Sequence, residues 1–295
     1  MKFDANRVVA ESEICLRSES DSRDIDDSIA ALAAWKTIDN VTESTLMAID
    51  RMTQSAVSVT ALAQLHDMIA LMEADMQGLI SQSERLQQLQ YLFYQQLGFS
   101  CDWRKLLALD SILLHEVIAN RNGVPISLGS LFMYFAEYFQ VEVTGILFPG
   151  QFVLRVGDEQ DYRYLDPSDG SELSQHKLEV LLRGIVGNHA LLTDDDLPAA
   201  SKSEHFVRMM QVIKAALIRD EHFAYALRSI EFILEQTPWD PYEIRDRGFL
   251  LQQLDCNRLA SQDFTYFIEQ CPDDPVIRIL KVQVDELDSI VEVVH

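Results

Sequence analysis

Two segments in the last third of the chain repeat one another at an interval of 34 residues, and this interval constrains the fold more than any other feature. The segment EQTPWDP at 235–241 matches EQCPDDP at 269–275. Small alanines let antiparallel helices approach closely, and a proline ends the second helix of each pair. We therefore predict stacked helical hairpins over residues 201–295, capped by a terminal helix around Val276 to Leu287. Four pairs of residues agree at the offset: Leu217 with Leu251, Ala226 with Ala260, Ile230 with Phe264, and Pro238 with Pro272.

A period of 34 residues with alanine, bulky apolar residues and proline at these offsets is the signature of the tetratricopeptide repeat. Gly248 stands where this repeat has a small residue in its first helix. Arrays of such repeats bind extended peptides or helices on a concave face. We therefore expect a protein or peptide partner for this region.

The charge of the chain restricts the partners further. It has 47 Asp and Glu residues against 24 Lys and Arg residues, a formal net charge of −23. An acidic chain repels phosphate backbones and anionic lipids, which argues against a nucleic-acid or membrane partner. The N-terminal residues contain no apolar run of signal-peptide length, and no stretch is long and apolar enough for a membrane span.

The cysteines and short motifs predict neither a metal site nor a cofactor. No two of the four cysteines form a CxxC pair, so a structural zinc site is not expected. The nucleotide-binding patterns GxxxxGK[ST] and GxGxxG are absent. The acidic run at 193–196 lacks the glycine and the final glutamate of a calcium loop, and we interpret it as a linker. Free thiols and a cytoplasmic location are the expectation for Cys15, Cys101, Cys256 and Cys271.

Residues 25 to about 120 have the pattern of α-helices, after an irregular start over residues 1–24. Asp26, Asp27 and Ser28 offer N-capping oxygens before an apolar helical stretch. Gly98 can adopt the left-handed conformation and is expected to end a helix at Leu97. A stripe of apolar residues spaced alternately by three and four predicts an amphipathic helix in a bundle core: Leu62, Leu65, Ile69, Met72, Met76 and Leu79.

The spacing of the apolar residues changes over residues 121 to about 185. The turn signal NGVPIS precedes the stretch LGSLFMYFAEYF, which predicts a helix with Ser127 as its N-cap. The alternation of Phe152, Leu154 and Val156 predicts a strand, and the polar GDEQD and then YRYLD predict a turn and a second, antiparallel strand. One helix followed by a small antiparallel sheet is an α+β arrangement. The helix is expected to bury an apolar face made of Leu128, Leu131, Phe132, Phe135 and Phe139.

Several motifs in this region resemble the bacterial SirB-type proteins of the transglutaminase-like superfamily. They are YLFYQQLGFS, VIANRNGVPISLGSLFMYFAEYF, FPGQFVLR and YLDPSDG. The resemblance implies a papain-like core over about 91–185, within a domain of residues 25–200, and a tetratricopeptide domain over 201–295. It also implies a catalytic Cys at a helix start, a His on the following strand and an Asp on the next. The family name implies a link to gene regulation, which the acidic charge would make indirect.

The chain departs from this catalytic pattern at two of the three positions. The Cys position falls on Pro125 without gaps, or on Ser127 with a shift of two residues, and the His position is Gln151. An amide does not titrate near neutral pH and cannot serve as a general base. Only Asp166 matches. We therefore expect no catalytic residues, and a remnant binding cleft formed by Arg121, Gly123, Pro125, Ser127, Pro149, Gly150, Gln151 and Asp166.

Each site residue also has a structural interpretation. Ser127 is expected to cap the helix, Asp166 to hold a turn before Pro167, and Gln151 to bridge the two. Cys101 could approach the cleft from another segment but is more simply a buried or idle thiol. His115 is interpreted as a helix histidine whose hydrogen bonds are satisfied.

Three functions follow from these residues. The first is a non-catalytic, soluble interaction or scaffold protein, in which a degenerate transglutaminase-like domain (a pseudoenzyme) accompanies peptide-binding repeats. The second is a hydrolase or acyltransferase with an altered nucleophile, Ser127 or Cys101. The third is a sensor that binds a small ligand in the remnant cleft.

Overall fold

The computed structural model describes residues 37–157, 161–193 and 197–294. These residues form two compact units, one of Ile38–Ala216 and one that begins at Leu217. The expected caps Asp26, Asp27 and Ser28, the irregular start at 1–24 and the acidic residues 194–196 lie outside the described residues.

The first unit begins with helices that form a bundle, as the apolar stripe predicts. Leu65, Ile69, Met72 and Met76 are buried on one face of the second helix, and Leu62 is half-buried. The helix ends at Met76, so the prediction that Leu79 belongs to the same helix face is wrong. Burial of such a stripe is the main source of stability for a helix in a bundle. The helices are α1 (Val41–Thr53), α2 (Val57–Met76), α3 (Gln82–Gln90), α4 (Leu109–Ile112) and α5 (Leu114–Asn120).

Helix α3 continues into a π-helix, Tyr91–Gln96, which the sequence did not indicate. The chain then turns at Gly98, whose φ of +74° is the left-handed conformation that was predicted there.

The central helix of the unit is α6 (Pro125–Tyr138), and its start corrects one prediction. Pro125 occupies the first turn and Val124 is the N-cap, so the expectation that Ser127 caps the helix is wrong. A proline at the first helical position has its φ already set for a helix and lacks only an N–H that would have no partner there. The predicted apolar face is buried, apart from a half-buried Phe139.

An antiparallel sheet with the strand order β1-β2-β3-β4 follows α6, which confirms the α+β prediction. The predicted hairpin is β2–β3, in which Leu154 pairs with Leu165 and Val156 with Arg163. Two more helices, α7 (Gln175–Val186) and α8 (Lys202–Arg219), come after the sheet. The strands are β1 (Val143–Ile146), β2 (Val153–Gly157), β3 (Tyr162–Leu165) and β4 (Glu172–Leu173).

The ring of Phe152 joins α6 to the sheet by filling the space beside two glycines. A Cβ atom on Gly129, in α6, would lie 2.5 Å from a carbon of this ring. A Cβ atom on Gly145, in β1, would also lie 2.5 Å from it. Both glycines have ordinary negative φ values, so close approach is what requires them here.

The second unit contains the predicted helical hairpins: α9 (Phe223–Gln236), α10 (Pro241–Gln253), α11 (Asn257–Gln270) and the terminal α12 (Ile277–Val294). The 34-residue repeat extends to the backbone, since Glu221 and Asp255 have φ values of 59° and 60°. Gly248 lets α10 approach α11, because a Cβ atom there would lie 2.7 Å from the buried ring of Phe264. The repeats and the terminal helix that covers them are therefore confirmed.

Candidate functional site

Ser127 is closed off from any cleft. Its side chain is fully buried, and its Oγ donates a hydrogen bond of 2.9 Å to the carbonyl of Ile112. A hydroxyl held in this way ties α6 to α4 and is not available to attack a substrate.

Asp166 and Gln151 do meet. The Gln151 Nε2 donates to Asp166 Oδ2 at 3.4 Å, while Asp166 Oδ1 accepts from the backbone N–H of Ser168 at 2.8 Å. Asp166 therefore holds a turn, as expected, and Gln151 reaches this carboxylate but does not bridge it to Ser127. The pair can form hydrogen bonds, but the amide cannot move a proton.

A cavity of about 300 Å³ opens beside the start of α6 and includes Pro125, Gly150 and Gln151. Its walls are mainly apolar, with the exposed Trp103 on one side and Arg208 as its cationic residue. Its lining does not include the other five predicted binding residues: Arg121, Gly123, Ser127, Pro149 and Asp166.

Two of these five residues have structural roles that the contacts make clear. Arg121 adopts a left-handed φ of 59° at the end of α5, and its guanidinium lies 5.0 Å from the centre of the Phe99 ring. Gly123 passes so close to the Val117 side chain that a Cβ atom would lie 2.7 Å from it.

Cys101 comes close to Asp166 from a distant part of the chain, which the sequence could not show. Burial raises the pKa of its thiol, and the carboxylate of Asp166 adds to this effect. The nearby hydroxyl of Ser168 acts in the opposite direction, although it makes no hydrogen bond of regular geometry with the described residues. A thiol with a raised pKa is mostly protonated at neutral pH and is a poor nucleophile.

The interpretation of His115 as a satisfied histidine is wrong. Neither of its buried ring nitrogens has a hydrogen-bond partner among the described residues. Glu116 approaches to 3.6 Å but is the next residue on the same helix, and adjacent helical side chains do not face each other. Burial lowers the pKa of His115 and thus favours the neutral ring.

A second imidazole, that of His205, meets a serine hydroxyl inside the first unit. His205 Nε2 lies 2.9 Å from Ser130 Oγ, and the centre of the imidazole ring lies 4.5 Å from the centre of the Phe152 ring. Burial lowers the pKa of His205 to about 4, so that the ring is neutral near pH 7. The two residues are 75 positions apart in the chain, and no sequence motif joins them.

The direction of the hydrogen bonds decides what this pair can do. Ser130 Oγ donates its hydrogen to the carbonyl of Ile126, one turn earlier in α6, at 2.8 Å. It therefore accepts from His205 Nε2, and the imidazole gives a hydrogen instead of taking one. A ring with a lowered pKa is also a weak base. In this arrangement the pair links α6 to α8 and does not activate a nucleophile.

Two structural findings bear on other kinds of site. Among residues 37–157, 161–193 and 197–294, no group of three or more His, Cys, Asp or Glu side chains is placed to hold a metal ion. No helix in this part of the chain has the length and apolar character needed to cross a membrane.

Comparison with known proteins agrees with this architecture. The model of the transglutaminase-like superfamily matches residues 59–211, and a tetratricopeptide-repeat model matches residues 213–285. No solved structure matches the chain.

Three bacterial relatives cover most of the chain. SirB1 of Salmonella typhimurium is 34% identical over 226 residues, which are 76% of this chain and 84% of SirB1. The UPF0162 protein YchA of Escherichia coli is 31% identical over 246 residues, 83% of this chain and 91% of YchA. A UPF0162 protein of Vibrio cholerae is 37% identical over 197 residues, 66% of this chain and 73% of the relative. The chain therefore belongs to the SirB1 and UPF0162 family, in which a transglutaminase-like domain precedes tetratricopeptide repeats.

Proposed function

We propose that this protein is a non-catalytic interaction protein of the cytoplasm, which combines a degenerate transglutaminase-like domain with a peptide-binding repeat domain. The observation that carries the proposal is the state of the three positions where the superfamily has its catalytic residues. Pro125 has no nucleophile, the Ser127 hydroxyl is buried and bonded to Ile112, and Gln151 presents an amide to Asp166. Gln151 stands where the superfamily has an imidazole base, and its amide cannot take the proton of an attacking thiol or hydroxyl, which argues against acyl transfer and hydrolysis by the usual mechanism.

The second unit offers a surface that suits a peptide partner. Trp239 and Tyr242 are large aromatic residues with 74% and 49% of their surfaces exposed. Tyr266 donates a hydrogen bond of 3.1 Å to the carbonyl of Trp239, which holds the loop between α9 and α10. Rigid exposed aromatic side chains are the typical anchors of protein interfaces.

The cavity beside Pro125 supports a second function, the binding of a small ligand. Its apolar walls and its single cation, Arg208, suit an apolar molecule that carries an acidic group. A ligand held there would make the first unit a sensor, as the third sequence-based hypothesis states.

The partner surface can be tested with the full chain. We expect the double variant Trp239→Ala, Tyr242→Ala to lose the proteins that the unchanged chain captures from bacterial lysate, while its circular dichroism is unchanged. The matched control is Tyr91→Ala, at an exposed aromatic residue of the first unit that does not line the cavity at Pro125, and this variant should keep these proteins. Identical protein lists for the unchanged chain and the double variant would refute the assignment of this surface.

The absence of catalysis can be tested with covalent probes. A fluorophosphonate for serines and a chloroacetamide for thiols should fail to label the folded protein stoichiometrically near pH 7. Stoichiometric labelling of Ser127, Ser130 or Cys101 that disappears when the protein is unfolded by heat would show an activated nucleophile. That result would favour the hydrolase or acyltransferase hypothesis.

A further inference from the structure

A second cavity, of about 610 Å³, shares no lining residue with the cavity at Pro125. It is bordered by the start of α1, one face of α6, strands β1 and β2, and the start of α8. Cavities of this size hold small organic ligands in many proteins. Every residue that lines it belongs to the first unit.

Arg155 provides this cavity with a cation that no carboxylate of the described residues neutralises. It lies in the middle of β2, between Thr144 of β1 and Tyr164 of β3, and is half-buried. Its guanidinium lies 5.7 Å from the centre of the Tyr162 ring. By contrast, Arg163 on the next strand has Glu172 at 3.7 Å. With no acidic partner among the described residues, this guanidinium is available to form charge-assisted hydrogen bonds with an anionic ligand.

Glu142 provides the same cavity with an anion that is also unpaired among the described residues. Its side chain is exposed at the rim, and it makes no ion pair with Arg155 although both line the cavity. The other two charges of the lining cancel, because Lys202 Nζ lies 3.2 Å from Glu137 Oε1. The cavity thus keeps one available positive group and one available negative group.

The remaining walls of the cavity indicate what kind of group should lie between the two charged ends of a ligand. Val41, Met133 and Val143 give the cavity an apolar side, while Ser130 and His205 already bond to each other. We propose that this cavity binds a zwitterionic short peptide, with the peptide carboxylate on Arg155, its ammonium group near Glu142 and an apolar side chain against this wall.

Isothermal titration calorimetry with the full chain tests the proposal through the charges of the peptide. Alanyl-leucine should bind, whereas N-acetyl-alanyl-leucine and alanyl-leucinamide, which each lack one charge, should bind at least about 10-fold more weakly. Arg155→Gln should lower the affinity for alanyl-leucine by a similar factor but leave the affinity for alanyl-leucinamide unchanged, because this peptide has no carboxylate. Glu142→Gln should likewise lower the affinity for alanyl-leucine but leave that for N-acetyl-alanyl-leucine unchanged, because this peptide has no ammonium group.

The control variant is Arg163→Gln, which removes a paired cation from the neighbouring strand and should not change the affinity. Arg155→Lys, which keeps the charge, should retain more affinity than Arg155→Gln if the variants fold. No binding of alanyl-leucine at millimolar concentration, or equal binding of the three peptides by the unchanged chain, would overturn the proposal without any variant. Such a failure would leave the non-catalytic function standing, because that function is tested by probe labelling and not by peptide affinity.

Discussion

The buried imidazole of His205 makes the stability of the first unit depend on pH, and the size of the effect can be worked out. Burial lowers the pKa of this group to about 4, from an ordinary value of 6.5. Between these two values the unfolded chain binds more protons than the folded chain, so the free energy of unfolding rises with pH. The stabilisation is thus complete above about pH 6.5 and is lost as the pH falls towards 4.

The linkage relation gives the magnitude at a convenient pH. At pH 5 an ordinary histidine is almost fully protonated, whereas His205 is still mostly neutral. From pH 7 to pH 5 this group alone should lower the free energy of unfolding by about 2 kcal/mol. His205 borders the cavity of about 610 Å³, whose charged lining residues are Lys202, Arg155, Glu137 and Glu142. None of these four residues is substituted in the variants compared below, so their charges affect all of these variants equally.

Urea unfolding at pH 7 and pH 5 would measure the effect. Trp103 reports on the first unit when Trp35 and Trp239 are replaced by phenylalanine. In this background, Ser130→Ala keeps the imidazole and should keep the pH dependence, while Ser130→Ala with His205→Phe should lose about 2 kcal/mol of it. The control is His66→Gln, at an exposed histidine, which should not change the difference in the free energy of unfolding between pH 7 and pH 5. The reasoning is refuted if the two Ser130→Ala proteins show the same pH dependence.

Two further predictions concern packing and thiol reactivity. Gly248→Ala should lower the free energy of unfolding by about 1–3 kcal/mol in chemical denaturation, because the new methyl group would meet the buried ring of Phe264. Gly184→Ala, in a helix where a Cβ atom meets nothing within 4 Å, should instead stabilise by about 0.5–1 kcal/mol. Cys101 should react with iodoacetamide more slowly at pH 7 than a free cysteine does, with a rate that rises on into the alkaline range, because its pKa is raised. Mass spectrometry of the alkylated peptide would measure this, and fast modification at pH 7 would contradict it.

The features that the sequence predicts well depend on neighbours in the chain. The repeat at 34 residues predicts the helical hairpins because buried positions recur at this interval, as Ala226 does at Ala260 and Ile230 at Phe264. The prediction of a buried helix face from Leu65 to Met76 is correct for a similar reason, since helical periodicity alone decides which face is buried.

The features that the sequence misses depend on segments far apart. Nothing near Ser130 indicates that His205 would bond to it, and nothing near Cys101 indicates that Asp166 would lie beside it. The error at Ser127 has a local cause: a proline two residues earlier can itself begin a helix, and the serine then falls inside it. The candidate site was therefore predicted in its residue types but only partly in its geometry.

The fit of the Phe152 ring beside Gly129 and Gly145 has a consequence for how this domain can change during evolution. A methyl group at either glycine would overlap the ring by itself, and a smaller residue at 152 would leave a void. Each single step is unfavourable, whereas an alanine at a glycine position combined with a smaller residue at 152 restores the volume. Substitutions at these three positions should consequently occur together, because the three residues form one coupled set that links the central helix to the sheet.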